Sequence, residues 1–103
     1  MVFRILDASA FYSGVPFGYS GKCYTTTLVF EEINHIKKTT QILETLQQTN
    51  RLAIRDPEKI FLKKAIDAAK KTGDFNQLSD QDLSILALAI ETSGEIVTDD
   101  FAI

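Results

Sequence analysis

The sequence has little cysteine and histidine, with one residue of each, Cys23 and His35, among 103 residues. A single cysteine excludes an intramolecular disulfide, and one Cys with one His cannot build a Cys/His zinc site. The sequence also lacks a signal peptide and any apolar run long enough to cross a bilayer, so no membrane location is expected. These absences favour a reduced, cytoplasmic setting.

Positive charge is also scarce. Lys and Arg number 11 against 14 Asp and Glu, which gives a formal net charge of −3 and an isoelectric point of about 5.0. A generic nucleic-acid-binding domain is usually basic, so this composition is not typical of one. A cluster of carboxylates that binds a metal ion would produce the same excess of negative charge when the ion is not counted.

What is present is an ordinary globular composition, with 45% hydrophobic and 24% charged residues. The length predicts one domain over residues 1–103. Apolar, β-branched segments predict strands at 2–6, 51–55 and 95–98, with a short extended piece before the helix that begins in the Thr run. Apolar periodicity predicts helices within 8–14, 23–38, 39–48, 56–73 and 78–94. Strands that alternate with helices of this length predict an α/β fold with a mainly parallel sheet.

Local signals predict the helix ends. Asp56 is expected to cap the helix that follows it, with Pro57 in the first turn and Gly73 at the end. Ser79 is the expected N-cap of the last helix and Gly94 its terminator. The Thr residues at 25–27 offer N-caps for the earlier helix. In the last helix the only non-apolar residue between positions 83 and 90 is a serine, which predicts burial on most sides.

Acidic residues concentrate where these elements begin and end. Asp7 follows the first strand, and Asp99 and Asp100 follow the last one. In a parallel sheet the carboxyl ends of the strands lie at one edge, where ligands bind. Asp80 and Asp82 begin the helix that leads into the last strand, and the periodicity of that helix does not decide which of the two faces the edge.

Two glutamates in the helix after the Thr run are separated by the helical wheel. Val29, Ile33 and Ile36 form its apolar stripe, and Glu32 lies about 60° from Val29. Glu31 points to the opposite side and is expected to face solvent. Glu32 is expected at the edge of the core, where a carboxylate is costly unless it is paired or bound to a cation.

Clustered carboxylates favour Mg²⁺ or Mn²⁺, since these hard ions prefer oxygen ligands and often share them with substrate phosphates. The matching chemistry is phosphodiester hydrolysis. Purely structural interpretations stay open. Asp7 could be a helix N-cap, Ser79 and Asp82 nearly form a capping box, Asp80 could complement the helix dipole, and residues 99–100 could be a tail.

The acidic residues and their surroundings, taken in order, resemble a PIN-domain ribonuclease through the whole chain. The motifs that carry the resemblance are "LDAS" with Asp7 and Ser9, "TTTLVFEEI", "LSDQDLSILALA" with Asp82, and "VTDD" with Thr98 and Asp100. The resemblance implies a three-layer α/β/α fold and an Mg²⁺- or Mn²⁺-dependent endoribonuclease. The metal ligands and catalytic residues that it implies are Asp7, Glu32, Asp82 and Asp100. Ser9 and Thr98 would orient those ligands, and Asp99 would be an accessory acid.

Within the family, the "KTGD…LS" phrase is most similar to the ribosome-biogenesis branch, which implies precursor small-subunit rRNA as the substrate and 3′-end maturation as the role. The alternatives are a toxin ribonuclease of a toxin–antitoxin pair and a non-catalytic module that binds RNA or protein. That branch normally adds a zinc ribbon, and the domain normally adds a helix and strand after "TxD"; this sequence has neither, so a C-terminally shortened domain is expected. The sheet edge left uncovered could support a homodimer.

Overall fold

In a computed structural model of the protein, the residues described are 3–12, 22–34 and 37–97. Within these ranges the chain forms four strands, five α-helices and one 3₁₀ turn at Phe75–Gln77. The strands are β1 (Arg4–Leu6), β2 (Cys23–Thr25), β3 (Leu52–Ile54) and β4 (Glu95–Val97). The helices are α1 (Ala8–Tyr12), α2 (Thr27–Asn34), α3 (Lys37–Gln48), α4 (Lys59–Thr72) and α5 (Asp80–Thr92).

The strands form one parallel sheet in the order β3-β2-β1-β4. The expected parallel α/β architecture is therefore confirmed. The expected number of strands is wrong, because Cys23–Thr25 is a full strand at an inner position, paired with both β1 and β3. Three residues are too few to show a period, so only the pairing with both neighbours identifies this segment as a strand.

The core lies between the sheet and the helices that pack on it. Fully buried side chains in β1, α2 and α5 include Ile5, Leu6, Val29, Ile33 and Leu88, and Leu43 of α3 and Cys23 of β2 are buried with them. Helix α5 is buried over much of its surface, as its sequence predicts, but Ile90 on its outer side is 36% exposed. No helix in the three described ranges has the length and apolar character needed to cross a membrane.

The start of α4 differs from the expectation. Its N-cap residue is Glu58, whose side chain makes no capping bond, and the backbone N–H of Glu58 donates instead to Glu91 Oε1 at 2.9 Å. The Asp56 carboxylate accepts from the backbone N–H of Thr27 at 2.8 Å and from its hydroxyl at 2.6 Å. Asp56 therefore stabilises the first turn of α2 rather than that of α4, because the fold brings Thr27 within its reach.

The two helix-ending glycines have different roles. Gly73 ends α4 in the left-handed region with φ 80°, as expected, and nothing crowds its α-carbon. Helix α5 ends at Thr92, and its C-cap is Ser93, one residue before Gly94, with φ 53°. A Cβ at Gly94 would lie 2.8 Å from Ile5 Cδ1 and 2.9 Å from the Phe3 carbonyl oxygen. Gly94 is thus required by close packing on β1 and is not itself the residue that terminates the helix.

Candidate active site

A cavity of about 230 Å³ opens where β1 ends and where α2 meets α5. Its lining residues are Asp7, Ala8, Ser9, Val29, Glu32, Ser79, Gln81, Asp82 and Ile85. Three of the four predicted metal ligands, and the predicted supporting hydroxyl of Ser9, therefore share one cavity. The cavity lies at the carboxyl edge of the sheet, where the parallel topology predicts a ligand site.

Asp7 is both a helix cap and a cavity residue. Its Oδ1 accepts hydrogen bonds from Ser9 Oγ at 2.8 Å and from the backbone N–H of Ala10 at 3.0 Å. Its own backbone N–H donates to the carbonyl of Val97 at 3.4 Å, which joins the ends of β1 and β4. Among the described residues, no group donates to Oδ2. The capping bonds to Oδ1 therefore fix the carboxylate at the edge of the cavity.

Asp82, like Asp7, takes part in capping a helix and also lines the cavity. The Asp82 carboxylate accepts from the backbone N–H of Ser79 at 3.0 Å, and the Ser79 hydroxyl accepts from the backbone N–H of Asp82 at 3.1 Å. This reciprocal pair is a complete capping box. The side chain is exposed and lines the cavity. Asp80, which the sequence pattern could not separate from Asp82, lines a different groove.

Glu32 lines the cavity with Asp7 and Asp82, whereas Glu31 lines the groove that holds Asp80. Both glutamates are exposed, so Glu32 lies beside the core residues Val29 and Ile85 without the cost of burial that its expected place at the core edge implied. The wheel still separates them correctly, because residues adjacent on a helix point in directions about 100° apart.

Three predicted site residues, Thr98, Asp99 and Asp100, lie outside the described residues. So does His35, for which no site role is expected. Within the described ranges, no three His, Cys, Asp or Glu side chains approach closely enough to hold one metal ion. The charged side chains that line the cavity are nevertheless all carboxylates. Their oxygen donors suit Mg²⁺ or Mn²⁺ rather than a thiophilic metal.

Cys23 is not part of this site. It lies in the inner strand β2 and is 2% exposed, as expected for a residue that fills the core. Burial raises the pKa of the Cys23 thiol, and the nearby charges of Arg4 and Arg51 oppose that rise in part. A buried, protonated thiol is neither a nucleophile nor a metal ligand.

Two buried hydroxyl residues connect the helices that form the cavity, although neither of them lines it. Thr26, before α2, and Ser84, in α5, form a buried hydrogen bond of 2.7 Å. The sequence carried a signal for both residues. Thr26 belongs to the run of N-cap candidates, and Ser84 is the one polar residue in an apolar stretch of α5. The sequence could not show that the two residues meet.

Comparisons with known proteins show the family to which the chain belongs. A family model described as the PIN domain of ribonuclease matches residues 4–92. The chain is similar to Endoribonuclease Nob1 of Methanocaldococcus jannaschii, with 39% identity over 104 residues that cover 100% of this chain and 50% of the relative. It is also similar to Ribonuclease VapC3 of Aeropyrum pernix, with 32% identity over 96% of this chain and 74% of the relative.

A third relative is the 20S-pre-rRNA D-site endonuclease NOB1 of Saccharomyces cerevisiae, 38% identical over 71% of this chain and 16% of the relative. The chain thus spans about half the length of the archaeal Nob1 protein and a smaller part of the yeast one. The family match covers nearly the whole described chain, and it includes the strand, helices and capping box that form the cavity. The chain belongs to the PIN-domain family of ribonucleases.

Proposed function

We propose that this protein is a metal-dependent endoribonuclease whose metal ligands are Asp7, Glu32, Asp82 and Asp100. The observation that carries the proposal is the cavity at the carboxyl edge of the sheet, which three of these carboxylates line together. Such a concentration of negative charge repels RNA phosphates unless cations intervene. RNA binding and cleavage should therefore both require a divalent ion.

The protein's part in the reaction is to hold and orient oxygen ligands. Ser9 and the N-terminus of α1 fix one oxygen of Asp7, and the capping box fixes the Asp82 carboxylate on α5. Bound Mg²⁺ or Mn²⁺ would supply an acidified water and neutralise charge on the phosphate that is attacked. Ser9, Thr98 and Asp99 would support the ligand set by hydrogen bonding, as groups next to metal ligands commonly do.

The proposed substrate is precursor small-subunit rRNA, cleaved to give its mature 3′ end in the cytoplasm. The similarity to the yeast 20S-pre-rRNA D-site endonuclease NOB1, and to the archaeal endoribonuclease that shares the name Nob1, supports this choice. The similarity to Ribonuclease VapC3 supports the toxin alternative. No described feature of the cavity favours the toxin role over rRNA maturation. A homodimer stays a prediction.

The test is cleavage of a model rRNA precursor in Mn²⁺ by the wild type, Asp7→Asn and Asp80→Asn. Asparagine also caps helices well, so the Asp7 variant should fold. We expect Asp7→Asn to lose at least about tenfold in rate, since removal of even a group behind a metal ligand commonly costs about 10- to 100-fold. Asp80 lies outside the cavity and serves as the matched control, which should cleave like the wild type. Full activity of Asp7→Asn would refute the site.

Two further results would redirect the functional assignment. Metal-independent RNA binding by a wild type that cleaves no RNA would favour the non-catalytic module. Cleavage of many unrelated RNAs in place of the precursor junction would favour the toxin-type role over ribosome biogenesis.

A further inference from the structure

A pair of buried hydroxyl groups joins the two helices that carry Glu32 and Asp82. Thr26 is 0% exposed and Ser84 is 5% exposed, and their oxygens lie 2.7 Å apart. Thr26 stands immediately before α2, and Ser84 lies in the first part of α5. In surroundings of low polarity such a bond is strong, and its loss leaves a costly unpaired group.

The direction of this bond follows from its neighbours. Ser84 Oγ also lies 2.7 Å from the carbonyl oxygen of Gln81, to which it donates its single proton. Thr26 must therefore donate to Ser84. Thr26 Oγ1 in turn accepts from the backbone N–H of Val29 at 3.4 Å. The result is a chain of three hydrogen bonds that runs from Val29 in α2 to Gln81 in α5.

Both ends of this chain are cavity residues. Val29 and Gln81 line the same cavity as the acids. Glu32 lies one turn after Val29 on α2, and Asp82 directly follows Gln81 on α5. The hydrogen-bond chain therefore connects the backbone that carries one acid to the backbone that carries the other.

We propose that Thr26 and Ser84 are positioning residues that set the spacing of Glu32 from Asp82, and hence the affinity of the site for divalent metal. The inference rests on the proposed metal-dependent nuclease function. An apolar pair such as Val and Ala would fill the same space between the helices. Only hydroxyls add a directional bond, which specifies one arrangement of the two helices where apolar packing tolerates several.

The experiment measures Mn²⁺ binding, from the EPR signal of the free ion, and the Mn²⁺ dependence of RNA cleavage. Thr26→Val keeps the shape of the side chain and removes the hydroxyl donor, and Ser84→Ala removes the other hydroxyl. Thr26→Ser keeps a hydroxyl at position 26. Leu52→Val serves as the stability control, because Leu52 is 3% exposed in β3 and does not line the cavity.

We expect Thr26→Val and Ser84→Ala each to weaken Mn²⁺ binding about tenfold, within the range found when groups behind metal ligands are removed. The Mn²⁺ concentration for half-maximal cleavage should rise by the same factor, while the rate at saturating Mn²⁺ changes less. Thr26→Ser should bind Mn²⁺ with most of the wild-type affinity. Leu52→Val should lower the melting temperature and leave Mn²⁺ affinity unchanged. The double variant should be no worse than either single one, because the two hydroxyls act as a unit.

Wild-type Mn²⁺ affinity in a folded Thr26→Val or Ser84→Ala variant overturns the positioning role and leaves the nuclease assignment intact. Equal loss of affinity in Leu52→Val also overturns it, because the effect would then be general destabilisation. A wild type that neither binds Mn²⁺ nor cleaves RNA overturns the proposed function and this inference together.

Discussion

Glu31 and Glu32, neighbours in the sequence, lie on opposite sides of the contact between α2 and α5. Glu32 lines the cavity of about 230 Å³ with Asp7 and Asp82, and Glu31 lines a groove of about 430 Å³ with Asp56 and Asp80. Both side chains are exposed. The two residues are chemically identical and both exposed, yet their surroundings differ, which makes them a matched pair for mutation.

Glu32→Gln should reduce cleavage strongly, by about a hundredfold, because an amide keeps the size of the side chain but removes a charged ligand. Glu31→Gln should leave the rate within about twofold, since surface changes away from a site have small effects. The measurement is the initial rate of RNA cleavage over a range of Mn²⁺ concentrations. Equal rates for the two variants would contradict the assignment of Glu32.

Gly94→Ala should destabilise the fold by about 1–3 kcal/mol, because the added methyl group has no room against Ile5 and the Phe3 carbonyl. The clash lies next to the 2.7 Å hydrogen bond from the Glu95 N–H to the Phe3 carbonyl. This bond holds the start of β4 beside the start of β1. Urea unfolding monitored by circular dichroism measures the loss.

Gly73→Ala is the comparison for that experiment. No atom crowds Gly73, so its cost comes only from the left-handed backbone, about 1–2 kcal/mol. We expect Gly94→Ala to weaken Mn²⁺ binding as well, since β1 leads directly to Asp7, whereas Gly73→Ala should not. A Gly94→Ala protein with wild-type stability would show that this packing can relax.

Cys23 should react slowly with iodoacetamide in the folded protein at pH 8 and rapidly in urea. Burial excludes the reagent and raises the pKa of the thiol, so little reactive thiolate is present. Mass spectrometry of the alkylated fraction over time gives both rates. Rapid alkylation without urea would show that β2 opens readily.

The same raised pKa predicts a pH effect on stability. Above the ordinary thiol pKa of about 8.5 the unfolded chain loses this proton before the folded one does, which favours unfolding. The contribution of the protonated Cys23 thiol to the free energy of unfolding is therefore fully present below the ordinary thiol pKa. It is lost as the pH rises through the higher pKa of the folded state. Wild type should lose more stability between pH 7 and pH 10 than Cys23→Ala, as measured by urea midpoints. Parallel pH profiles of the two proteins would rule this contribution out.

Asp56→Ala should cost about 1 kcal/mol of stability, because the first turn of α2 loses the carboxylate that accepts from Thr27. Asp74→Ala is the control, since Asp74 precedes the 3₁₀ turn without a side-chain capping bond. Thermal unfolding of both variants tests the difference. An Asp56 variant as stable as the Asp74 variant would show that solvent replaces the bond.

The part of the fold that sequence predicts well depends on near neighbours. Ser79 caps α5 through Asp82, three residues later, and Gly73 ends α4 in a backbone conformation that suits glycine. Asp56 was expected to follow the same local rule, yet its partner Thr27 is distant in the chain. Strand β2 was missed as a sheet member for a related reason, since its identity depends on pairing with β1 and β3.

The alternation of strands and helices, the capping signals and the acidic motifs typical of the PIN family follow from the amino-acid sequence alone. These features depend on residues within a few positions of one another, where propensity and periodicity act. Packing between distant segments is what places Asp7, Glu32 and Asp82 in one cavity and Glu31 and Asp80 in a separate groove. This distribution of the acidic residues depends on the strand order and on how α2 packs against α5, including the hydrogen bond between the hydroxyls of Thr26 and Ser84. Contacts between distant segments form only when burial of the whole core brings them together.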